Sequence, residues 1–146
     1  MSRIHFSKKQ IRQFEKMGIE IIYLFGSRVQ GFVSLLSDFD FGIVFEKPEK
    51  YKKETMDVYL KLYDIFTDVL PKNYLRKRFE MRAHEFDIVF LQFTPISLQF
   101  EAIKNSKVLY EKNKKRRLNY EEYVTKKQCD LKYFHDLRYK AILERI

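Results

Sequence analysis

Residues 26–45 read GSRVQGFVSLLSDFDFGIVF, and this stretch carries the pattern from which the fold and the chemistry are predicted. Gly26 and Ser27 follow an apolar run, and after ten further residues Asp38 and Asp40 open a second apolar run. Side chains alternate between the two faces of a β-strand, so residues i and i+2 share one face. The two aspartates are therefore predicted to point the same way, with Cα atoms roughly 6.5 Å apart.

A third candidate acid is Asp87, within the strand-like run EFDIVFL at residues 85–91. Two carboxylates about 4 Å apart repel by roughly 4 kcal/mol at an effective dielectric of 20. Bound Mg²⁺ reverses the sign of that interaction, and Mg²⁺ prefers carboxylates together with substrate phosphates. Two such ions stabilise the attacking and leaving oxygens of a displacement at phosphorus. The three aspartates therefore predict a two-metal nucleotidyl-transfer site.

The Gly26-Ser27 turn is predicted to bind the phosphates of the nucleotide. Glycine allows the backbone to approach a ligand closely, and backbone N–H groups with a hydroxyl suit a triphosphate. Ser27 is also a favoured N-cap for a short helix predicted over residues 29–36. The two roles are compatible, because a helix N-terminus itself attracts anions.

The spacing Gly26-Ser27-x10-Asp38-x-Asp40 resembles the signature of the polymerase-beta-like nucleotidyltransferases. The string LFGSRVQG at residues 24–31 resembles the minimal nucleotidyltransferase branch, although Gln30 stands where many relatives carry an arginine. Residues 95–111 are similar to the MntA-type antitoxins of that branch. The resemblance implies a polymerase-beta-like nucleotidyltransferase fold, with a small mixed sheet flanked by helices.

The same resemblance implies an enzyme that uses ATP and two Mg²⁺ ions to move AMP onto a hydroxyl. In the antitoxin branch, the implied acceptor is a tyrosine of a cognate HEPN-type RNase toxin, which the modification silences. All three aspartates are implied to bind metal, and Asp87 is also the implied general base. Gly26 and Ser27 are implied to hold the β- and γ-phosphates, with help from Arg28.

Two other functions stay open at this point. A non-catalytic antitoxin would neutralise its partner by occlusion and keep a vestigial site. A small-molecule adenylyltransferase of the aminoglycoside type is the other alternative, but such enzymes usually carry a further substrate domain, for which 146 residues leave little room.

Composition predicts a single domain over residues 1–146, with a C-terminal helical extension from about residue 118. The sequence has no 18-residue apolar run and no signal-peptide core, and its one cysteine excludes an intrachain disulfide. A cytoplasmic protein without membrane contact is therefore expected. The net charge of +9 is interpreted as a solvated surface that attracts an acidic partner or a triphosphate, rather than as a nucleic-acid site. The basic run at residues 114–117 is interpreted as a solvated linker.

Hydrophobic periodicity predicts an α+β or α/β sandwich with its helices on one side of the sheet. The strands are expected over 20–25, 38–45 and 86–92, with a short edge strand over 107–110. Helices are expected after the capping box Ser7-x-x-Gln10, over 52–70, from Thr94-Pro95 to Lys104, and from 118 to the end. The residues predicted to be buried in the second helix are Met56, Tyr59, Leu62 or Tyr63, Phe66, and Val69 or Leu70. The residues predicted to be buried in the last helix, or helix pair, are Tyr123, Leu131, Phe134, Leu137 and Ile142.

Overall fold

The computed structural model describes residues 4–25, 39–70 and 86–145. Within these ranges, a mixed four-stranded sheet is covered by α-helices, so the predicted α+β class is confirmed. The helices are α1 (Lys8–Lys16), α2 (Thr55–Val69), α3 (Ile96–Lys104) and α4 (Lys114–Glu144). The strands are β1 (Ile19–Phe25), β2 (Phe39–Phe45), β3 (Phe86–Phe90) and β4 (Lys107–Glu111). Short 3-10 turns occupy Pro48–Tyr51 and Leu91–Phe93.

The sheet has the strand order β3-β2-β1-β4, with β2 and β3 parallel and the other pairs antiparallel. The prediction that all helices lie on one side is wrong. Helices α1 and α2 cover one face, and α3 and α4 cover the other. Strand β1 is buried along nearly its whole length, which is the consequence of apolar packing on both faces.

Helix α1 begins as the sequence predicts. The Ser7 hydroxyl accepts a hydrogen bond from the Gln10 backbone N–H, and the Gln10 side chain accepts one from the Ser7 N–H. Phe6 and Ile11, the predicted hydrophobic staple, both pack against the main core. Gly18 ends the segment with a φ of 70°, a conformation that glycine adopts without a Cβ penalty.

The buried stripe of α2 is shifted from the predicted one. Leu62 and Phe66 are buried as expected, but Met56 is 67% exposed and Val58 and Ile65 take the remaining core positions. The sequence offers apolar residues on two overlapping stripes, and packing against the sheet selects one of them. Helix α3 begins one residue later than predicted. Thr94 was predicted as its N-cap and Pro95 as its first residue, but Pro95 is the N-cap.

The C-terminal segment is one helix, α4, and it does not bury the residues predicted to be buried. Tyr123, Leu131, Phe134, Leu137 and Ile142 are each between 41% and 65% exposed. The prediction was wrong because periodicity reports that a face is apolar without reporting which molecule covers it. No helix in the described ranges is both long enough and apolar enough to cross a membrane.

Residues 114–117 form the first turn of α4, so the interpretation of this run as a linker is wrong, although residues 114–116 are exposed to solvent as expected. Arg117 forms ion pairs with Glu111 of β4 and with Glu121 one turn further along the helix. Glu121 in turn accepts a hydrogen bond from the Tyr23 hydroxyl of β1 at 3.0 Å. Burial is the main reason that the pKa of Tyr23 is raised above its ordinary value, and the Glu121 carboxylate raises it further. The Tyr23 hydroxyl therefore stays a hydrogen-bond donor.

A buried carboxyl group lies where β1 begins, at the end of the strand remote from Phe25. Glu20 is 5% exposed, and its nearest cation is the Arg116 guanidinium at 3.5 Å. Burial raises the pKa of Glu20 above its ordinary value of 4.5, and Arg116 opposes the shift only in part. Neighbouring Glu46 behaves oppositely, because its hydrogen bond with Lys112 lowers its pKa.

The raised pKa of Glu20 predicts a specific pH dependence of stability. The contribution of Glu20 to the free energy of unfolding is fully present below its unfolded-state pKa. It is lost as the pH rises through its higher folded-state pKa. We expect Glu20→Gln to melt at a higher temperature than wild type at pH 8, with the difference shrinking toward pH 4.5. Glu46→Gln is the matched control and should melt lower at pH 8. Thermal melts that show Glu20→Gln destabilised at pH 8 would contradict the assignment.

Candidate functional site

Two of the predicted aspartates are brought together by the strand register. Asp40 and Asp87 are Cα partners across the parallel pair β2–β3, so their backbones are about 4.8 Å apart. Asp40 is also the Cα partner of Phe25 at the end of β1. Strand β1 therefore ends beside Asp40, and Gly26 and Ser27 are the next two residues in the sequence.

The aspartates share a face of the sheet. Val44 and Val89, which have the same parity as Asp40 and Asp87 on their strands, belong to the smaller core cluster under α3 and α4. Asp40 is half-buried and Asp87 is exposed. Both residues therefore keep surface that solvent can reach. Gly26, Ser27, Arg28 and Asp38 lie outside the described residues, as does the short helix predicted over 29–36.

Gly42 lies two residues after Asp40 on β2, on the same face of the sheet, and was not among the predicted site residues. A Cβ on Gly42 would lie 2.9 Å from Leu91 Cδ1 and 3.2 Å from Phe25 Cε1. Because Gly42 has no side chain, Leu91 and Phe25 can pack over β2 at a position two residues from Asp40. A glycine inside an otherwise apolar strand was the available signal, because such a glycine often marks a close approach.

We expect Gly42→Ala to destabilise the protein by about 1–3 kcal/mol, because Leu91 is fully buried and its side chain must move to admit the methyl group. The same movement pushes on Phe25, so any activity of the site should fall as well. Thermal unfolding and a nucleotide-transfer assay on the same sample measure the two effects. An alanine variant with wild-type stability would show that Leu91 repacks freely.

The carboxylates fit a divalent cation in chemistry and placement. Hard cations such as Mg²⁺ take oxygen ligands, and Asp40 and Asp87 offer them from paired positions on one face. Within the three described ranges no group of three potential ligands comes together, and Asp38, the third predicted ligand, is outside those ranges. Two of the three predicted ligands are thus adjacent in the fold.

An open groove of about 650 Å³ runs beside the edge strand β3. Its walls include Val89, two residues beyond Asp87 on the same strand face, together with Phe90 and Phe93. Lys52 and Thr55 line the other side. Asp40 and Asp87 do not line this groove, and Phe90 packs against the main core on the opposite face, so the groove follows the edge of the sheet.

Comparison with solved structures shows chains of the same fold in toxin–antitoxin complexes. A chain of the MntA–HpeT pair carrying a tyrosine-to-alanine substitution aligns with a TM-score of 0.61 and 13% identity, over 95% of this chain and 99% of that one. A toxin–antitoxin structure with AMP-PNP gives a TM-score of 0.57 and 13% identity, over 94% and 99%. The complex of a tri-AMPylated Shewanella oneidensis HEPN toxin with its MNT antitoxin gives 0.51 and 13%, over 92% and 93%.

Comparison with curated protein sequences gives no match. The family model described as polymerase beta, nucleotidyltransferase, in contrast, matches residues 8–115. That span runs from the start of α1 to the start of α4, and it includes all four strands and both described aspartates. The four-stranded mixed sheet and the shared fold of the solved complexes agree with it. The chain therefore belongs to the polymerase-beta nucleotidyltransferase family.

Proposed function

We propose that this protein transfers AMP from ATP onto a tyrosine of a cognate HEPN-type RNase toxin and thereby acts as its antitoxin. The observation that carries the proposal is the pairing of Asp40 with Asp87 on neighbouring strands, beside Phe25 at the end of β1. Related folds support it, since one was solved with AMP-PNP and another beside an AMPylated HEPN toxin.

Each candidate residue of the chain is assigned a role. Asp38, Asp40 and Asp87 would hold the cations that accompany ATP. Asp87 would also accept the proton of the tyrosine hydroxyl as its oxygen attacks the α-phosphorus and pyrophosphate leaves. Bound Mg²⁺ would lower the pKa of the acceptor hydroxyl and neutralise the charge that develops on the phosphates. A tyrosine needs that help, because its unperturbed pKa is near 10. Gly26, Ser27 and Arg28 are assigned to the triphosphate on the sequence motif alone.

A protein acceptor suits the surroundings of the aspartates better than a drug-sized one. Asp87 is exposed, and the neighbouring groove along β3 is open on one side. A side chain of a polypeptide can reach an exposed carboxylate without being enclosed by a pocket. An aminoglycoside would need more enclosing surface, so small-molecule transfer is the less favoured alternative.

The test is co-expression of this chain with a candidate HEPN-type partner, the product of the gene adjacent to its own being tried first, followed by intact-mass measurement of that partner. Mass increments of AMP that map to a tyrosine are expected, and they should disappear with Asp40→Asn or Asp87→Asn. If the partner stays unmodified and is nevertheless inhibited, occlusion is the correct function. Modification of aminoglycosides with an unmodified protein partner would support the small-molecule alternative.

A further inference from the structure

The last part of α4 extends away from the body of the protein. Val124 is fully buried, but every residue from 129 to 145 is exposed. At 1.5 Å per residue this segment projects for about 25 Å. Isolated helices of such length are marginal in water, because their stability normally comes from packing of an apolar face.

The projecting helix nevertheless carries such a face. At 100° per residue, five exposed apolar side chains fall within an arc of about 140°. They are Tyr123, Leu131, Phe134, Leu137 and Ile142, and we call them the α4 apolar face. Val124 and Tyr120 lie on the same side of the helix, so the face continues, beyond the body, the surface by which α4 packs on the sheet.

The size of this face suits a protein–protein contact. Aromatic side chains bury about 150–250 Å² each when covered, and the members of the face retain roughly half of their surface. The exposed apolar area is therefore on the order of 500 Å². Basic side chains beside it add apolar stems, which brings the total toward the roughly 800 Å² that each partner buries in a standard interface.

Charge indicates which kind of molecule covers the face. Lys127, Arg138 and Arg145 stand near the centre of the same arc, and Asp130 stands only at its border. A second copy would bring the same cations and a further net charge of +9 against this surface. An acidic partner would instead place carboxylates opposite the cations, which speeds encounter and selects the partner.

We propose that the α4 apolar face is the docking surface for the helical toxin whose tyrosine the catalytic site modifies, and that it receives an apolar groove flanked by carboxylates. The inference rests on the proposed function for the identity of the partner. It places that partner on the side of the sheet that carries Asp40 and Asp87, because α4 packs on that face. Docking on α4 would thus supply binding energy remote from the reacting hydroxyl.

The test compares a change on the α4 apolar face with a change away from it, both in the full-length chain. Leu131→Ser with Phe134→Ser removes the centre of the α4 apolar face. Tyr139→Ser is the matched control, because Tyr139 is 66% exposed against 65% for Phe134 but lies about 130° from the centre of the arc. The melting temperatures of both variants should stay near that of wild type, since exposed positions contribute little to folding.

We expect the double variant to bind the co-expressed HEPN-type protein at least about 100-fold more weakly, because buried aromatic and aliphatic anchors dominate interface energies. Tyr139→Ser should bind within about 3-fold of wild type, a change of less than 1 kcal/mol. In transfer assays the double variant should raise KM for the partner and leave kcat unchanged, because the reacting groups are intact.

Several results would overturn the docking assignment. Equal affinity of the double variant and Tyr139→Ser would do so, as would failure of the wild-type chain to bind the HEPN-type protein. A wild-type homodimer that dissociates in the double variant, measured by light scattering, would make a second copy the occupant. A complex that depends on Leu131 and Phe134 but carries no AMP would instead uphold the docking surface and refute the proposed transfer.

Discussion

Asp40→Asn is expected to eliminate nucleotidyl transfer while leaving the protein folded. Asp40 is paired with Asp87 across β2–β3, and metal-assisted stabilisation of charge on a transferring group is worth several kcal/mol. Its loss corresponds to a fall in kcat of about three orders of magnitude or more. Asparagine keeps the size of the side chain and removes its charge, so packing should be preserved.

The melting temperature of Asp40→Asn without Mg²⁺ should equal or exceed that of wild type, because like-charge repulsion with Asp87 is relieved. Addition of Mg²⁺ should raise the melting temperature of wild type more than that of the variant, since a ligand that binds only the folded state stabilises it. Wild-type transfer rates in Asp40→Asn would refute the two-metal assignment. A collapsed fold would show that Asp40 is structural instead.

Phe41→Ala is expected to have the largest effect on stability, although Phe41 directly follows Asp40. Its ring is fully buried and points away from the aspartates into the core beneath α1 and α2. It stacks on Phe66 of α2 with centroids 3.9 Å apart, and it meets Phe86 of β3 edge to face at 5.6 Å. Truncation removes both contacts and leaves a cavity, which typically costs about 3–5 kcal/mol.

Such a loss is a large part of the roughly 5–15 kcal/mol that stabilises a typical domain, and it should lower the melting temperature by about 10 °C. Phe134→Ala is the matched control, since Phe134 is 65% exposed in this chain and its truncation should cost less than about 0.5 kcal/mol. Chemical denaturation of both variants measures the difference. Similar stabilities would mean that the aromatic stack around Phe41 contributes little.

The contrast between Asp40 and Phe41 shows how far the sequence alone could lead. Alternation along a strand assigned the aspartate to the open face and the phenylalanine to the core, and the structure agrees. The capping box of α1, the turn at Gly18 and the edge strand β4 were also predicted, because each depends on residues close together in the chain. Pattern and local hydrogen bonding determine features of that kind.

Features that depend on contacts between distant segments were decided only by the tertiary structure. The choice of the Val58–Ile65 side of α2 depends on the shape of the sheet it packs against. The adjacency of Asp40 and Asp87 depends on the parallel register of β2 and β3, since a shift by one residue would turn one carboxylate to the opposite face. The close fit of Leu91 over Gly42 likewise requires both chain segments to be in place.

The α4 apolar face marks the boundary between the two kinds of information. By itself the sequence determined that Leu131, Phe134 and Ile142 lie on one apolar side of a helix, because a 3.6-residue period is a local property. Only the tertiary structure decided that this side stays exposed among the described residues, since no residue of α4 from 129 to 144 is buried. A side chain is buried only when a second surface covers it, and the sequence period describes only the helix's own surface.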